Sequence, residues 1–259
     1  MTPALPPPHC NLDVYLPLKR LADFAAALAG LLVLSPLLVP VVVGLRLTGE
    51  GEVFYRQRRL GYKRRPFGIY KFATMLKDSP NIGTGDITLR DDPRITPMGG
   101  WLRRTKVNEL PQLLNVLFGD MSLVGPRPLM PVSFEMYAPA VQAVVYDSRP
   151  GVTGIGSLVF RDEEALVTRA TELGLDARRY YREAIYPYKG AVESWYRRNR
   201  GLWTDTKILA GTALSLVASD VDWAARLFRD LPARPALLDL GRSGEWTLDA
   251  ECEDLQASG

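Results

Sequence analysis

The segment from Arg103 to Pro128, RRTKVNELPQLLNVLFGDMSLVGPRP, concentrates residue types that handle phosphate. Arg127 stands between two prolines. They stiffen the backbone around it, which suits a pre-placed guanidinium gripping phosphate through paired N–H donors. The spacing of Leu110, Leu113, Leu114 and Leu117 predicts a short helix beginning at Asn108, with Asn108 as its N-cap. The free N–H groups and dipole of that helix would favour an anion and keep Glu109 ionised. Arg103, Arg104 and Lys106 add positive charge nearby. Carboxylate, arginines and a helix N-terminus together point to a divalent metal and a phosphate ester. Each feature alone has a bland reading: Arg127 paired with a structural acid, Asp120 capping a turn, Glu109 decorating a helix end. Their clustering in one short segment favours the phosphate site.

A second acidic group, FRDEE, holds Arg161, Asp162, Glu163 and Glu164 and follows the glycine-rich RPGVTGIGS. Three successive acids most often mark a solvated helix start. They are also hard oxygen donors of the kind Mg²⁺ takes, so Asp162, Glu163 and Glu164 stand as candidate catalytic or metal-binding carboxylates. Other chemistries are excluded. His9 is the only histidine, and the two cysteines, Cys10 and Cys252, lie near opposite ends. That leaves no zinc set and no Ser–His or Cys–His pair, so acid–base work falls to carboxylates, Lys, Tyr or a bound ion. Few cysteines also fit a reducing compartment.

The elements that must position these residues begin with an apolar stretch. The 22 residues Phe24–Leu45 carry no charge, enough to cross a bilayer. SPLLVP sets Ser35, Pro36 and Pro40 near the middle. Pro36 removes a backbone hydrogen bond, so a break is expected there, with Ser35 available to the freed backbone. Lys19 and Arg20 precede the stretch, and Arg46, Arg56, Arg58, Arg59, Lys63, Arg64 and Arg65 follow it. The positive-inside rule keeps both flanks on the cytoplasmic side, which a re-entrant helix satisfies; a spanning helix with a proline kink is the alternative. Residues 1–17 read as an extended lead-in, 18–47 as the membrane helix, 48–219 as the main domain and 220–259 as a weakly ordered acidic tail.

Within the main domain, EVFYRQRRLGYKRRPFGIYKFATM predicts a hairpin. DDPRITPMGGWLRRTK predicts turns and then a short helix, and helical stretches are expected over VSFEMYAPAVQAVVYDS, EEALVTRATEL and ARRYYREAIYPYKGAVESWYRRN, with TDTKILAGTALSLVAS an apolar stretch. Aromatic and basic residues interleave from Tyr180 to Trp203. This pattern fits an interfacial belt on lipid headgroups, with a base-stacking surface or a partly buried helix as alternatives. A net charge of +3 is too small to favour nucleic acid.

VFYRQRRLGYKRRPFGIYKFATM, DPRITPMGGWLRRTKVNELPQLLNVLFGDMSLVGPRPL and RPGVTGIGS together resemble the bacterial sugar transferases, the monotopic phosphoglycosyl transferases. The resemblance covers roughly residues 17–215. It implies an α/β, mainly helical, single membrane-associated domain on a re-entrant helix broken at Ser35–Pro36, in the bacterial inner membrane and facing the cytoplasm. It implies transfer of a sugar phosphate from a nucleotide sugar, usually a UDP-sugar, to polyprenyl phosphate with Mg²⁺, giving UMP. Such a step initiates exopolysaccharide, lipopolysaccharide or glycoconjugate assembly. Glu109 matches the family's metal-holding Glu, Arg103 and Arg127 match its arginines, and Lys71 is a candidate phosphate contact.

Asn108 departs from the family, because it stands where the nucleophilic Asp is expected. A carboxamide is no substitute for a carboxylate nucleophile. Three readings follow. A carboxylate of FRDEE or Glu109 takes over, the polyprenyl phosphate attacks directly, or the chain is a silent lipid-phosphate-binding module. The intact phosphate elements favour an enzyme.

Overall fold

The computed structural model describes residues 11–48, 50–81 and 92–238. His9, Cys10 and Cys252, and the outer parts of the lead-in and tail, lie outside the described residues.

Helix α1 (Leu12–Leu47) starts earlier than its sequence suggested. Asn11 caps it by accepting from the Asp13 N–H, so the end of the expected extended lead-in, from residue 12 on, is helical. The helix is long and apolar enough to cross a membrane. A single stripe of it packs on the rest of the protein: Tyr15, Lys19, Asp23, Ala27, Leu31, Leu34, Leu38, Val41 and Leu45 are buried or half-buried. The spacing of three or four residues keeps them on one helical face. Ala27 and Leu31 join Leu113, Val116 and Met121, while Leu38, Val41 and Leu45 join Phe72, Leu102 and Val107. Val14, Leu21, Leu32, Val33, Val39, Val43 and Leu47 remain exposed on the other faces. The break expected at Ser35–Pro36 does not form: the helix runs unbroken through Pro36. Pro36 has no N–H to give the Leu32 carbonyl, and the Ser35 hydroxyl donates to that oxygen instead, at 2.8 Å.

The expected hairpin forms: β1 (Phe54–Leu60) pairs antiparallel with β2 (Pro66–Phe72), setting Tyr55 opposite Lys71. Next come α2 (Pro97–Arg104), capped by Thr96, and α3 (Gln112–Phe118), which packs on α1 and β2. Strand β3 (Ser122–Val124) pairs parallel with β4 (Gly151–Thr153), and α4 (Pro131–Phe134) and α5 (Pro139–Val144) lie between them in sequence. Then follow α6 (Ile155–Val159), α7 (Glu163–Glu172), α8 (Ala177–Tyr180), a π-turn at Tyr181–Ile185, α9 (Tyr186–Asn199), α10 (Leu202–Val217) and α11 (Trp223–Leu227). The architecture is mainly helical, as expected, with two small two-stranded sheets among the described residues.

Two expectations are corrected. Tyr180, Tyr186, Tyr188, Trp195 and Tyr196 are buried, so most of the aromatic run builds the core rather than an interfacial belt. Residues 220–238 are not a loose tail: Asp222 caps α11, and Ala224, Phe228 and Leu238 are buried in the largest core cluster.

Candidate active site

The helix expected from Asn108 begins later. The chain first makes a 3-10 turn over Val107–Glu109, entered through a left-handed Lys106 (φ 59°), and α3 starts at Gln112. Pro111 explains the delay. It has no N–H to close a bond back to the Val107 carbonyl, so the Leu110 N–H closes the tighter turn at 3.1 Å. Asn108 is therefore not the N-cap of α3, and Glu109 does not owe its placement to that helix's first turn. Asn108 is buried, and its side-chain oxygen has no hydrogen-bond partner.

What fixes Glu109 is charge. Lys71, near the end of β2, donates to its Oε1 at 3.0 Å, and an Arg127 nitrogen lies 3.9 Å from the same oxygen. Burial alone would raise the Glu109 pKa; Lys71, Arg127 and Lys106 outweigh it and hold the group at about 2. Burial pushes the Lys71 ammonium down to about 8, against the pull of Glu109. Arg59 from β1 completes the groove, which Lys71, Glu109, Gln112, Arg127 and Val152 also line. Burial, and next the neighbouring Arg127 charge, lower Arg59 to about 10. Three cations thus face one carboxylate.

The loop carrying Arg127 is held from several sides. The Tyr146 hydroxyl donates to the Arg127 carbonyl at 3.0 Å and accepts from the Leu129 N–H at 2.8 Å. The Leu60 N–H donates to the Leu129 carbonyl at 2.8 Å, tying β1 to the loop. Gly125, Gly151 and Gly154 meet backbone to backbone, and a Cβ on any of them would collide with main-chain atoms. The GPRP and RPGVTG stretches are glycine-rich because they touch here.

The FRDEE acids divide. Glu163, at the start of α7, accepts from the buried Lys189 ammonium at 2.7 Å on both oxygens and from the Tyr181 hydroxyl. Burial would raise its pKa, but Lys189 and Arg127 hold it below the usual carboxylate range. Glu164 is exposed and pairs with Arg103 at 2.7 Å. Asp162 is exposed at the N-terminal end of α7, and no hydrogen bond or ion pair joins it to Glu109 among the described residues. The structure therefore unites Glu109, Lys71 and Arg127, points Glu163 toward Arg127, and pairs Arg103 with Glu164 rather than with Glu109. Among the described residues no three His, Cys, Asp or Glu side chains gather as a metal cage.

Sequence reading missed Arg59, Tyr181 and Glu193 as parts of the site. Glu193 is buried behind it, pushed up to about 7 by burial, with one oxygen unpartnered. Lys189 and Glu193 stand four residues apart in α9, a spacing that was legible as one helical face.

Known proteins have related sequences. The family model described as bacterial sugar transferase matches residues 14–219. The UDP-glucose:undecaprenyl-phosphate glucose-1-phosphate transferase of Caulobacter vibrioides is 33% identical over 224 residues, covering 85% of this chain and 76% of that one. The undecaprenyl-phosphate galactose phosphotransferase of Salmonella typhimurium is 32% identical over 217 residues, 78% of this chain and 41% of that one. The undecaprenyl-phosphate glucose phosphotransferase of Komagataeibacter xylinus is 40% identical over 157 residues, 56% of this chain and 30% of that one. The match thus spans less than half the length of the latter two. Matched by the family model over residues 14–219 and 33% identical to a relative that it covers to 76%, this chain belongs to the bacterial sugar transferase family.

Proposed function

We propose that this chain transfers a sugar 1-phosphate from a nucleotide sugar, a UDP-sugar, to polyprenyl phosphate at the cytoplasmic face of the bacterial inner membrane. The products are polyprenyl-diphosphate sugar and UMP, and the step initiates exopolysaccharide or related glycoconjugate assembly. The observation that carries this reading is the groove in which Arg59, Lys71 and Arg127 outnumber Glu109. Its uncompensated positive charge suits the phosphates of donor and acceptor.

The seam along the unbroken α1 supports a placement with both flanks on one side of the membrane. The domain packs on the helix from Tyr15 to Leu45, so both ends belong on the domain's side of the bilayer. The exposed apolar faces of α1, and Trp203, Leu209, Leu216 and Val217 of α10, then rest in lipid. Cysteine labelling on both flanks of residues 19–46 tests this; labels on opposite sides of the membrane would sink it.

For the chemical step, an acceptor phosphate oxygen attacks the β-phosphorus of the donor. The bond from that phosphorus to the bridging oxygen breaks, and UMP leaves with the electron pair. Arg127 and Lys71 neutralise charge on the transferring group. Direct attack is favoured over a carboxylate nucleophile because Asn108 is neutral, Glu109 is held by Lys71, and Glu163 is held twice by Lys189.

Glu109 offers one hard donor in the groove, and the next residue's Asn108 oxygen, buried and outside the groove lining, is unpartnered. Mg²⁺ commonly binds through one or two such groups with the substrate phosphates supplying others, so the donor set fits. When bound, the ion would supply further charge neutralisation to the phosphates. Asp162 stays a candidate ligand only if α7 moves.

The test is UMP release from a panel of UDP-sugars by purified protein with Mg²⁺. Lipid-dependent release is expected, with none before acceptor is added. A stoichiometric burst without acceptor, lost in Glu163→Gln, would instead show a relocated carboxylate nucleophile. No turnover with any sugar, and activity gained in Asn108→Asp, would mean a silent lipid-phosphate module and end the enzyme reading.

A further inference from the structure

A second groove lies beside the first turns of α1 and shares no lining residue with the groove around Glu109. Tyr15, Lys19, Asp23, Ser122, Arg149 and Arg200 line it. Its acids are already engaged. Asp23 accepts from the Ser122 hydroxyl at 2.6 Å and the Leu123 N–H at 3.1 Å, and Lys19 is bound to Asp205 at 2.6 Å. Arg200 has no such arrangement. The residue is only 6% exposed, its Nε is buried without an acceptor, and no carboxylate pairs with it among the described residues.

A guanidinium cannot shed its charge, so burying one without a counter-anion is costly. Arg149 spends its Nε on the Gly119 carbonyl at 2.8 Å and likewise has no carboxylate partner among the described residues. Arg149 also lies 5.6 Å from the Tyr62 ring centroid, and both guanidiniums line the one groove, offering donor forks of the kind that match the tetrahedral oxygens of phosphate. Leu16, which also lines the groove, is exposed, as are Phe118, four residues before Ser122, and Trp203, three residues after Arg200, the last 71% exposed.

We propose that this groove binds a phosphate group through Arg200 and Arg149, the apolar surroundings favouring an acidic phospholipid headgroup over free phosphate. Lipid held there would fix the depth of α1. The proposal is independent of sugar transfer.

The test is thermal unfolding of the full chain in detergent with dihexanoyl phosphatidic acid, dihexanoyl phosphatidylcholine or inorganic phosphate. Phosphatidic acid should raise the midpoint of the wild type and of Arg127→Ala, whose loss reports only on the other groove. In Arg200→Gln the concentration giving half the effect should rise about tenfold or more, the usual scale for a lost charged hydrogen bond. Phosphatidylcholine should give no comparable rise. Stabilisation by inorganic phosphate at equal concentration would keep the site and assign it a soluble source. The exposed Arg149→Gln provides a variant that retains the fold, and it should also weaken the effect. Absence of stabilisation by either phosphate compound, or effects unchanged in Arg200→Gln and Arg149→Gln, would overturn the proposal.

Discussion

Two carboxylates in this molecule sit among cations, and they are held differently. Asp205 on α10 is saturated. It accepts from the Tyr196 hydroxyl at 2.7 Å, the Tyr15 hydroxyl at 2.8 Å and the Lys19 ammonium at 2.6 Å. Glu109 accepts one hydrogen bond, from Lys71, while Arg127 stands farther off with a side chain 44% exposed. The first cluster closes on itself and ties α1 to α10. The second leaves charge unspent and open to solvent. Both are partly buried ion pairs in sequence terms; only the balance of donors and acceptors separates an anchor from a site.

The largest effect should come from the anchor. Asp205→Ala strips two buried hydroxyls and the half-buried Lys19 ammonium of their acceptor and should cost about 3–5 kcal/mol. Thermal unfolding in detergent checks this, and the donor KM of the surviving folded protein should change little. Arg127→Ala should do the reverse. UMP release should fall about 10²–10³-fold, the scale for a lost charge-stabilising group, with the unfolding midpoint almost unmoved. If Arg127→Ala unfolded the protein while Asp205→Ala stopped turnover at full stability, the comparison would be reversed.

A smaller effect sharpens the open cluster. Lys71 is held at about 8, so it loses its proton as pH rises through that value while Glu109 stays ionised. Donor KM should rise about tenfold above pH 8, and Lys71→Arg should move that inflection out of range. Stability has the opposite sign. The folded chain binds this proton less tightly than the unfolded chain, whose lysine titrates near 10.5. Between about 8 and 10.5 the unfolded state carries more protons, so the Lys71 contribution to stability improves with pH. Lost activity in that window would thus not be unfolding of this cluster. A pH–KM profile flat to pH 10 would show that Lys71 does not meet substrate phosphate.

Part of the open cluster was legible in the sequence because GPRP stiffens Arg127 locally, while Lys71 was named only through the family resemblance and meets Glu109 across 38 residues of chain. The start of α3 was misread because periodicity marks a face but not which turn type closes it, and Pro111 decided that. The aromatic run was misread because lipid and protein core ask for the same apolar face. Tyr186 and Trp195 are buried by long-range packing that no local pattern records. The Asp222 N-cap of α11 was a local signal, and it was there to be used against the idea of a tail. Arg200, by contrast, has no local signature; its lack of a partner exists only in three dimensions.

The smallest predicted effect concerns α1 itself. Ser35→Ala leaves the Leu32 carbonyl without the hydroxyl that now replaces the missing Pro36 N–H. With α1 in lipid, as proposed, no water takes over, so the loss should be about 1 kcal/mol, measured as a lowered unfolding midpoint. The double variant Ser35→Ala/Pro36→Ala restores an N–H at position 36 and should recover that stability. α1 is already unbroken through Pro36, so if the Ser-Pro pair alone keeps both flanks on one side, a label ahead of Lys19 should become reachable from the opposite side of the membrane in the double variant alone. If both flanks stay on one side there too, the seam from Tyr15 to Leu45, sealed at one end by Asp205, suffices to hold α1 on the domain's face without any break.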